Sequence, residues 1–399
     1  MNVQWENAKA LITALEQKNH EAYFVGGCVR DYLLYREVKD IDITTSALPE
    51  EIMGIFKHVI PTGIKHGTVM VIYKGQSFEV TTFRSEGTYS DKRRPDQVAF
   101  ISNLKEDLAR RDFTINAMAM DRQFTVIDLF NGKEDLKSRQ IKTVGNAKKR
   151  FSEDALRMLR ALRFASQLGF EIEEQTQKQM QYLKDDIHHV AIERIKVECE
   201  KFFQGAFIKQ GMKLLRENEL ETVLPVFKTN PTLLDKTPEI TKPFVSFADV
   251  IAFFHYLDPS ISINTWVKQW KCSNKEKKRA LVLSNNLIYL KENEMDDWLA
   301  YQLPSTLVES FCHLAKTLFI NSTVTTNLIN EKQSSLPIQQ KEDINFDGHQ
   351  LATLYPHMKK GRWIAEIMQE IEYLIVTKQL INQQNIIKEW ILCHPPDKN

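Results

Sequence analysis

Two aspartates in one β-forming run, just downstream of a Gly-Gly turn, constrain this chain more than any other feature. In Val38-Lys39-Asp40-Ile41-Asp42-Ile43, strand alternation sends Lys39, Ile41 and Ile43 to one face and Asp40 and Asp42 to the other. Carboxylates so placed repel one another unless a cation sits between them. Hard oxygen ligands of this kind suit Mg²⁺, which takes one or two protein carboxylates together with waters and substrate phosphates. An isolated Asp-x-Asp is more often a solvated strand edge, but here the preceding residues weaken that reading. Ala22-Tyr23-Phe24-Val25 is a short apolar strand, and Gly26-Gly27 permits a positive-φ turn and close backbone approach to a ligand. Residues 28–36 read as a helix starting at that turn, with free N–H groups available to a phosphate. A phosphate site beside a metal site points to nucleotidyl transfer.

The 399 residues leave room for two to four domains, and 43% hydrophobic with 26% charged residues describe an ordinary globular protein. A formal charge of +1 excludes a global basic field, so any nucleic-acid binding must come from local patches. Five dispersed cysteines without a Cys-x-x-Cys pair argue for reduced thiols, against a zinc site or a disulfide framework. The N-terminus carries no basic-then-apolar leader, and no apolar run reaches the roughly 18 residues that span a membrane. A cytoplasmic protein is expected.

The expected fold class is α+β. A helix over 1–20 precedes short β-rich runs at 22–25, 40–44, 68–73, 78–83 and 124–129, and beyond about 145 helical patterns take over. The polar stretches 228–243 and 321–341 are candidate boundaries. Residues 69–73 and 78–84 predict a hairpin about Lys74-Gly75-Gln76, which allows Glu79 to join the aspartate face as a third carboxylate. An exposed strand glutamate fits that position equally well. The polar loop 85–97, containing Asp91-Lys92-Arg93-Arg94-Pro95, has the length and composition of a lid.

Arg110-Arg111-Asp112 comes just before an apolar, Ala-rich run to Met120 that reads as helical; arginine forks of this kind grip phosphate. Residues 136–152 hold six Lys/Arg and no Asp/Glu, a strip suited to phosphate or to a solvated linker. The strongest helical pattern is 152–165, with Ser152 as its expected cap. Asp154, Arg157, Arg160 and Arg163 recur every three residues and so form a slanting stripe, its ends about 13 Å apart along the axis. Asp154 and Arg157 are the pair able to share one ligand edge; Arg160 and Arg163 suit phosphate or buried ion pairs. Residues 266–279 carry six Lys/Arg interleaved with Trp266 and Trp270, either an RNA-facing strip or a solvated helix with core tryptophans.

Gly-Gly-Cys-Val-Arg-Asp, Asp-Ile-Asp, Glu-Val-Thr-Thr-Phe-Arg, Arg-Arg-Asp-Phe-Thr-Ile-Asn-Ala-Met-Ala, Glu-Asp-Ala-Leu-Arg-Met-Leu-Arg-Ala-Leu-Arg-Phe-Ala and Glu193-Arg194-Ile195 occur in that order. In these motifs the chain resembles bacterial class II CCA-adding enzymes, the tRNA nucleotidyltransferases, of the short bacillus type. The likeness is dense over residues 20–205 and thin beyond. It implies a seahorse-like protein: a palm-like nucleotidyltransferase head with a mixed sheet (1–145), then an all-helical neck (146–205), body (206–320) and tail (321–399). It implies that Asp40 and Asp42 hold Mg²⁺ with Glu79 beside them. Gly27, Arg30 and Arg111 would contact the triphosphate and ribose, and Asp154, Arg157, Arg160 and Arg163 would line the nucleotide pocket. The implied substrates are tRNA, CTP and ATP, and a homodimer is compatible with the pattern.

Base chemistry agrees independently. Cytosine and adenine both present an amino donor beside a ring-nitrogen acceptor, which an aspartate and an arginine complement. Uracil and guanine present the reverse and would leave buried groups unpaired, at a cost on the order of 1–3 kcal/mol each. A poly(A) polymerase, or a CC- or A-adding specialist, shares the same motifs; the intact 91–95 loop favours complete addition. A catalytically inactive RNA-binding protein is the alternative of another class, and the intact aspartate pair argues against it.

Overall fold

In the computed structural model, which describes residues 3–87, 98–319 and 322–396, the chain divides into two compact units, Met1–Pro231 and Thr232–Asn399. The division falls inside the proline-bearing stretch 228–243. The loop 91–95 lies outside the described residues. No helix among the described residues is long and apolar enough to cross a membrane.

The first unit opens with helix α1 (Val3–Glu16), strand β1 (Ala22–Val25), α2 (Gly27–Leu33), β2 (Asp42–Thr45), α3 (Pro49–Ile55), β3 (Val59–Gly63), β4 (Thr68–Tyr73) and β5 (Gln76–Thr82). A ribbon of β6 (Arg84–Glu86) and β7 (Val98–Phe100) follows, then α4 (Leu104–Ala109), β8 (Met118–Met120), β9 (Val126–Asp128), α5 (Gly132–Lys137) and β10 (Gln140–Ile141). Seven strands form one sheet in the order β3-β4-β5-β2-β1-β8-β9. Every pairing in it is antiparallel except β2 with β5. The expected hairpin is present as β4 and β5, closed by Lys74-Gly75, both at positive φ.

Alternation gives the sheet two covered faces. Phe24 points to α1, where its ring meets Trp5 edge-on with centroids 5.0 Å apart. Val25 points the other way, into a cluster with Leu108 of α4 and Ala119 of β8. Asp42 is the register partner of Val25 and so lies on the α4 face.

Two expectations require correction here. Residues 118–120 form a strand beside β1, not a helix: Met118, Ala119 and Met120 are all fully buried, so the run has no alternation to reveal its period. The pattern at 152–165 is two helices. Asn146 caps α6 (Ala147–Glu153), and α7 (Leu156–Leu168) starts only after Asp154 adopts an extended conformation, with φ −147°. Ser152 therefore sits within α6, and Asp154 stands in the break between the helices.

The remainder of the unit is β11 (Glu171–Ile172), which pairs with β10, and helices α8 (Glu174–Leu183), α9 (Ile192–Phe203) and α10 (Ile208–Glu217). At the corner between α9 and α10, a Cβ on Gly205 would stand 2.0 Å from the Ser166 Oγ of α7, so only glycine admits this approach. The second unit is helical: α11 (Phe247–Leu257), α12 (Ile263–Gln269), α13 (Asn274–Glu292), α14 (Asp297–Gln302), α15 (Val308–Leu318), α16 (Thr326–Ser334), α17 (Gly348–Leu354), α18 (Arg362–Val376) and α19 (Gln384–Cys393). Trp266 and Trp270 are fully buried, Trp266 stacked on Phe254 and Trp270 against Phe247, which settles them as core residues.

Candidate active site

The turn between β1 and α2 fixes one wall of a cleft of about 880 Å³ within the first unit. Gly26 has a positive φ of 75°, a backbone conformation that favours glycine, and a Cβ there would stand 3.0 Å from the Arg111 guanidinium. Gly27, Arg30, Asp42, Arg111, Asp154, Arg157, Arg160 and Arg163 all line this cleft. Of the residues expected from the sequence, Asp40 lines an adjoining cleft that also contains Asp42, and Glu79 lines neither. Asp40 is exposed and precedes β2, so the strand itself carries only Asp42.

Glu79 is nonetheless beside Asp42, because the parallel pairing makes the two Cα register partners. Burial, then the charges of Glu79 and Asp40, push the Asp42 carboxyl up to about 6 against the opposing pull of Arg111. Clustered hard oxygens of like charge fit a divalent cation. Among the described residues no three His, Cys, Asp or Glu converge closely enough to hold a metal unaided. That donor set suits an ion which completes its shell from phosphate oxygens and water.

Seven arginines and five carboxylates line the larger cleft, and their pairing is specific. Asp112 accepts from Phe113 N at 2.8 Å, Asn116 Nδ2 at 3.2 Å and Arg160 Nε at 2.7 Å. Burial alone would raise its pKa, but Arg160 and these donors hold it well below the ordinary carboxylate value. Asn116 in turn accepts from Arg30 Nη1 at 2.7 Å, while Asp31 grips the other edge of Arg30 at 2.9 Å. Asp107, fully buried, holds Arg110 at 2.8 Å and Arg111 at 3.3 Å. Phe164 carries three guanidinium groups over its ring, those of Arg163, Arg30 and Arg160 at 4.3, 5.1 and 5.5 Å from the centroid.

The stripe from α7 is thereby divided. Asp154 accepts from Arg194 at 2.7 Å and caps Leu156 N at 3.1 Å. Arg157 donates to Glu153 at 2.6 Å and to the carbonyls of Arg150 and Arg110, each at 3.1 Å. Arg163 forms a 3.1 Å ion pair with Glu198, and burial and the neighbouring Arg160 bring its pKa down to about 10. Arg160 and Arg163 thus take the buried ion-pair role that the sequence left open. Asn116, Phe164 and Glu198 had no assigned role in the sequence. Glu198 lies one turn after Arg194, which places it on the same helix face, and that spacing was available as a signal.

The family model described as "Poly A polymerase head domain" matches residues 22–142, and one for tRNA nucleotidyltransferase domain 2 matches residues 248–391. A CCA-adding enzyme of Oceanobacillus iheyensis is 46% identical over 393 residues, covering 98% of each chain. The chain belongs to the CCA-adding enzyme family. A CCA-adding enzyme of Bacillus cereus is 40% identical, over 97% of this chain and 98% of its own. The crystal structure of the Bacillus stearothermophilus CCA-adding enzyme in complex with CTP superposes with a TM-score of 0.88 at 32% identity, over 99% of this chain and 98% of that one. Membership of this family makes the chain a nucleotidyltransferase and fits the mixed-sheet fold already described.

Proposed function

We propose that this chain adds and repairs the 3′-terminal CCA of tRNA in the cytoplasm, drawing on CTP and ATP without a nucleic-acid template and releasing pyrophosphate. The observation that carries the reading is the convergence of Gly27, Arg30, Arg111 and the Asp154–Arg163 stripe on one cleft that Asp42 also lines. The head, neck, body and tail divide at about 145, 205 and 320, the tail being the tRNA-binding end.

Arg30 and Arg111 receive the triphosphate and ribose beside Gly27. Each is already oriented by a carboxylate, Asp31 or Asp107, so little side-chain entropy remains to be lost on binding. Asp154 and Arg157 read the Watson–Crick edge. Their own partners, Arg194 and Glu153, hold the acceptor and the donor in place before a base arrives. Arg160 and Arg163 are positioning residues, locked to Asp112 and Glu198, that fix the wall against which the base lies. Asp40 and Asp42, with Glu79 beside them, would hold Mg²⁺, which when bound neutralises the triphosphate and acidifies the attacking hydroxyl.

The test is incubation of the protein with tRNA lacking its 3′ end, labelled CTP and ATP, followed by sequencing of the product. Addition of C, C and A in that order is expected. A homopolymeric A tail, or addition stopping after two cytidines, would replace this reading with that of a specialist relative.

A further inference from the structure

Of the six Lys/Arg in the strip 136–152, five are exposed and Arg150 turns inward, its side chain 14% exposed. Arg150 does not line the nucleotide cleft. It stands behind that cleft, lining with Arg110 and Glu153 a separate pocket of about 200 Å³. All three guanidinium nitrogens are engaged: Nε donates to Val144 O at 3.0 Å, Nη1 to Glu153 Oε2 at 2.8 Å and Nη2 to Ala109 O at 2.5 Å. A side chain anchored in this way is neither a solvated charge nor a fork held open for phosphate.

Arg157 hangs on the same frame. Its Nη1 donates to the same Glu153 Oε2 at 2.6 Å and to Arg150 O at 3.1 Å, and its Nη2 donates to Arg110 O at 3.1 Å. The two arginines thus occupy the consecutive carbonyls of Ala109 and Arg110, which the end of α4 leaves without helical partners. Asp154 is tied to the same point, its N–H donating to Arg150 O at 3.3 Å. One carbonyl, that of Arg150, therefore holds both the backbone of Asp154 and the guanidinium of Arg157. An extended residue between two helices is a natural hinge. Arg150 and Glu153 clamp that hinge from the α6 side.

We propose that Arg150 is a positioning residue for base selection, a role that rests on the reading of Asp154 and Arg157 as the base-recognising pair. Through Glu153 and through its own carbonyl it fixes the spacing of the Asp154 acceptor and the Arg157 donor. A base edge with a donor beside an acceptor is held fully only when both protein groups meet it at once. Displacing Arg157 consequently weakens the matching base more than the mismatched one.

The test is the ratio of kcat/KM for CTP to kcat/KM for UTP in single-nucleotide incorporation. The concentration of active protein cancels from this ratio, so partial unfolding of a variant does not disturb it. Arg150→Met should lower the ratio about tenfold, part of the roughly hundredfold that a 1 Å misplacement can cost. Inhibition by pyrophosphate, which reports the triphosphate site, should not change. Arg150→Lys covers the case in which the methionine variant fails to fold: its single ammonium cannot reach all three acceptors, so the ratio should fall there too. Glu153→Gln should lower the ratio as well, and Arg150→Met combined with Glu153→Gln should lower it no further, because residues that act through one another are not additive. An unchanged ratio in both Arg150 variants would overturn the proposal. So would weakened pyrophosphate inhibition, or single effects that multiply in the double variant. Arg157→Lys separates the two readings. An unchanged ratio there removes the base-recognising role of Arg157, whereas a lowered ratio there with both Arg150 variants unaffected removes only the role of Arg150.

Discussion

Asp154 and Arg194 meet at 2.7 Å, joining the break between α6 and α7 to the first turn of α9. The pair is only partly shielded from solvent, so its contribution to folding is small, about 1 kcal/mol or less. In the proposed base-reading role of Asp154 the pair counts for more, because it fixes the direction in which the Asp154 carboxylate points. Arg194→Ala should leave the melting temperature nearly unchanged. It should lower kcat/KM for CTP and ATP together by about tenfold, the equivalent of about 1.4 kcal/mol. Single-nucleotide incorporation of all four triphosphates would also show a weaker preference for CTP over UTP.

The carboxylates around Asp42 make a metal prediction. Millimolar Mg²⁺ should raise the melting temperature of the unaltered protein, since the ion offsets repulsion among Asp42, Glu79 and Asp40. In Asp42→Asn that increment should shrink, with transfer of both nucleotides abolished and tRNA binding retained in a filter assay. Substantial incorporation by the variant in Mg²⁺ would remove Asp42 from the metal site.

Asp112 sets a pH dependence whose sign follows from its lowered pKa. A depressed carboxyl stabilises the fold above its unfolded value, near 4, and that stabilisation is lost as pH falls toward the folded value. Asp112→Asn should therefore cost about 3 kcal/mol at pH 7, in the range for breaking a buried pair. The gap between variant and unaltered protein in urea melts should be flat from about pH 5 to 8 and narrow below about pH 4.

Gly205→Ala tests the corner of α9. Its Cβ would lie 2.0 Å from Ser166 Oγ and 2.4 Å from Ser166 O, and a backbone atom cannot rotate aside. A loss of about 3 kcal/mol is expected by thermal melting, the upper end for overpacking. Nucleotide discrimination should fall as well, because α9 carries Arg194 and Glu198.

Gly27, Arg30, Asp42, Arg111 and the stripe from Asp154 to Arg163 were legible in the sequence because they fall in ordered motifs, whereas Glu198, on the same cleft, was not. Nor were their partners. Asp112 reaches Arg160 across 48 positions and Asp154 reaches Arg194 across 40; the first pairing needs α7 to pack against the segment after α4, the second needs α9 to pack beside the start of α7. The strand β4 and the hairpin turn were legible from alternation and Gly75. β8 was not, since a strand buried on both faces and rich in alanine carries the local signature of a helix. The break at Asp154 was hidden by Ser152, a good cap residue standing six positions after the Asn146 that performs the task.

The lone parallel pairing in the large sheet has a consequence for molecules that fold incorrectly. β5 reaches β2 only after the chain has travelled through α3, β3 and β4, and the alignment of Asp42 with Glu79 is settled at that late docking. A slip of one residue would turn Glu79 into the core and Val80 out to solvent, and would separate the acidic groups by the same movement. A chain in which β5 has not yet docked on β2 lacks the Asp42–Glu79 juxtaposition on which the proposed metal site depends. The proposed metal site and the closed sheet are therefore formed by the same strand pairing.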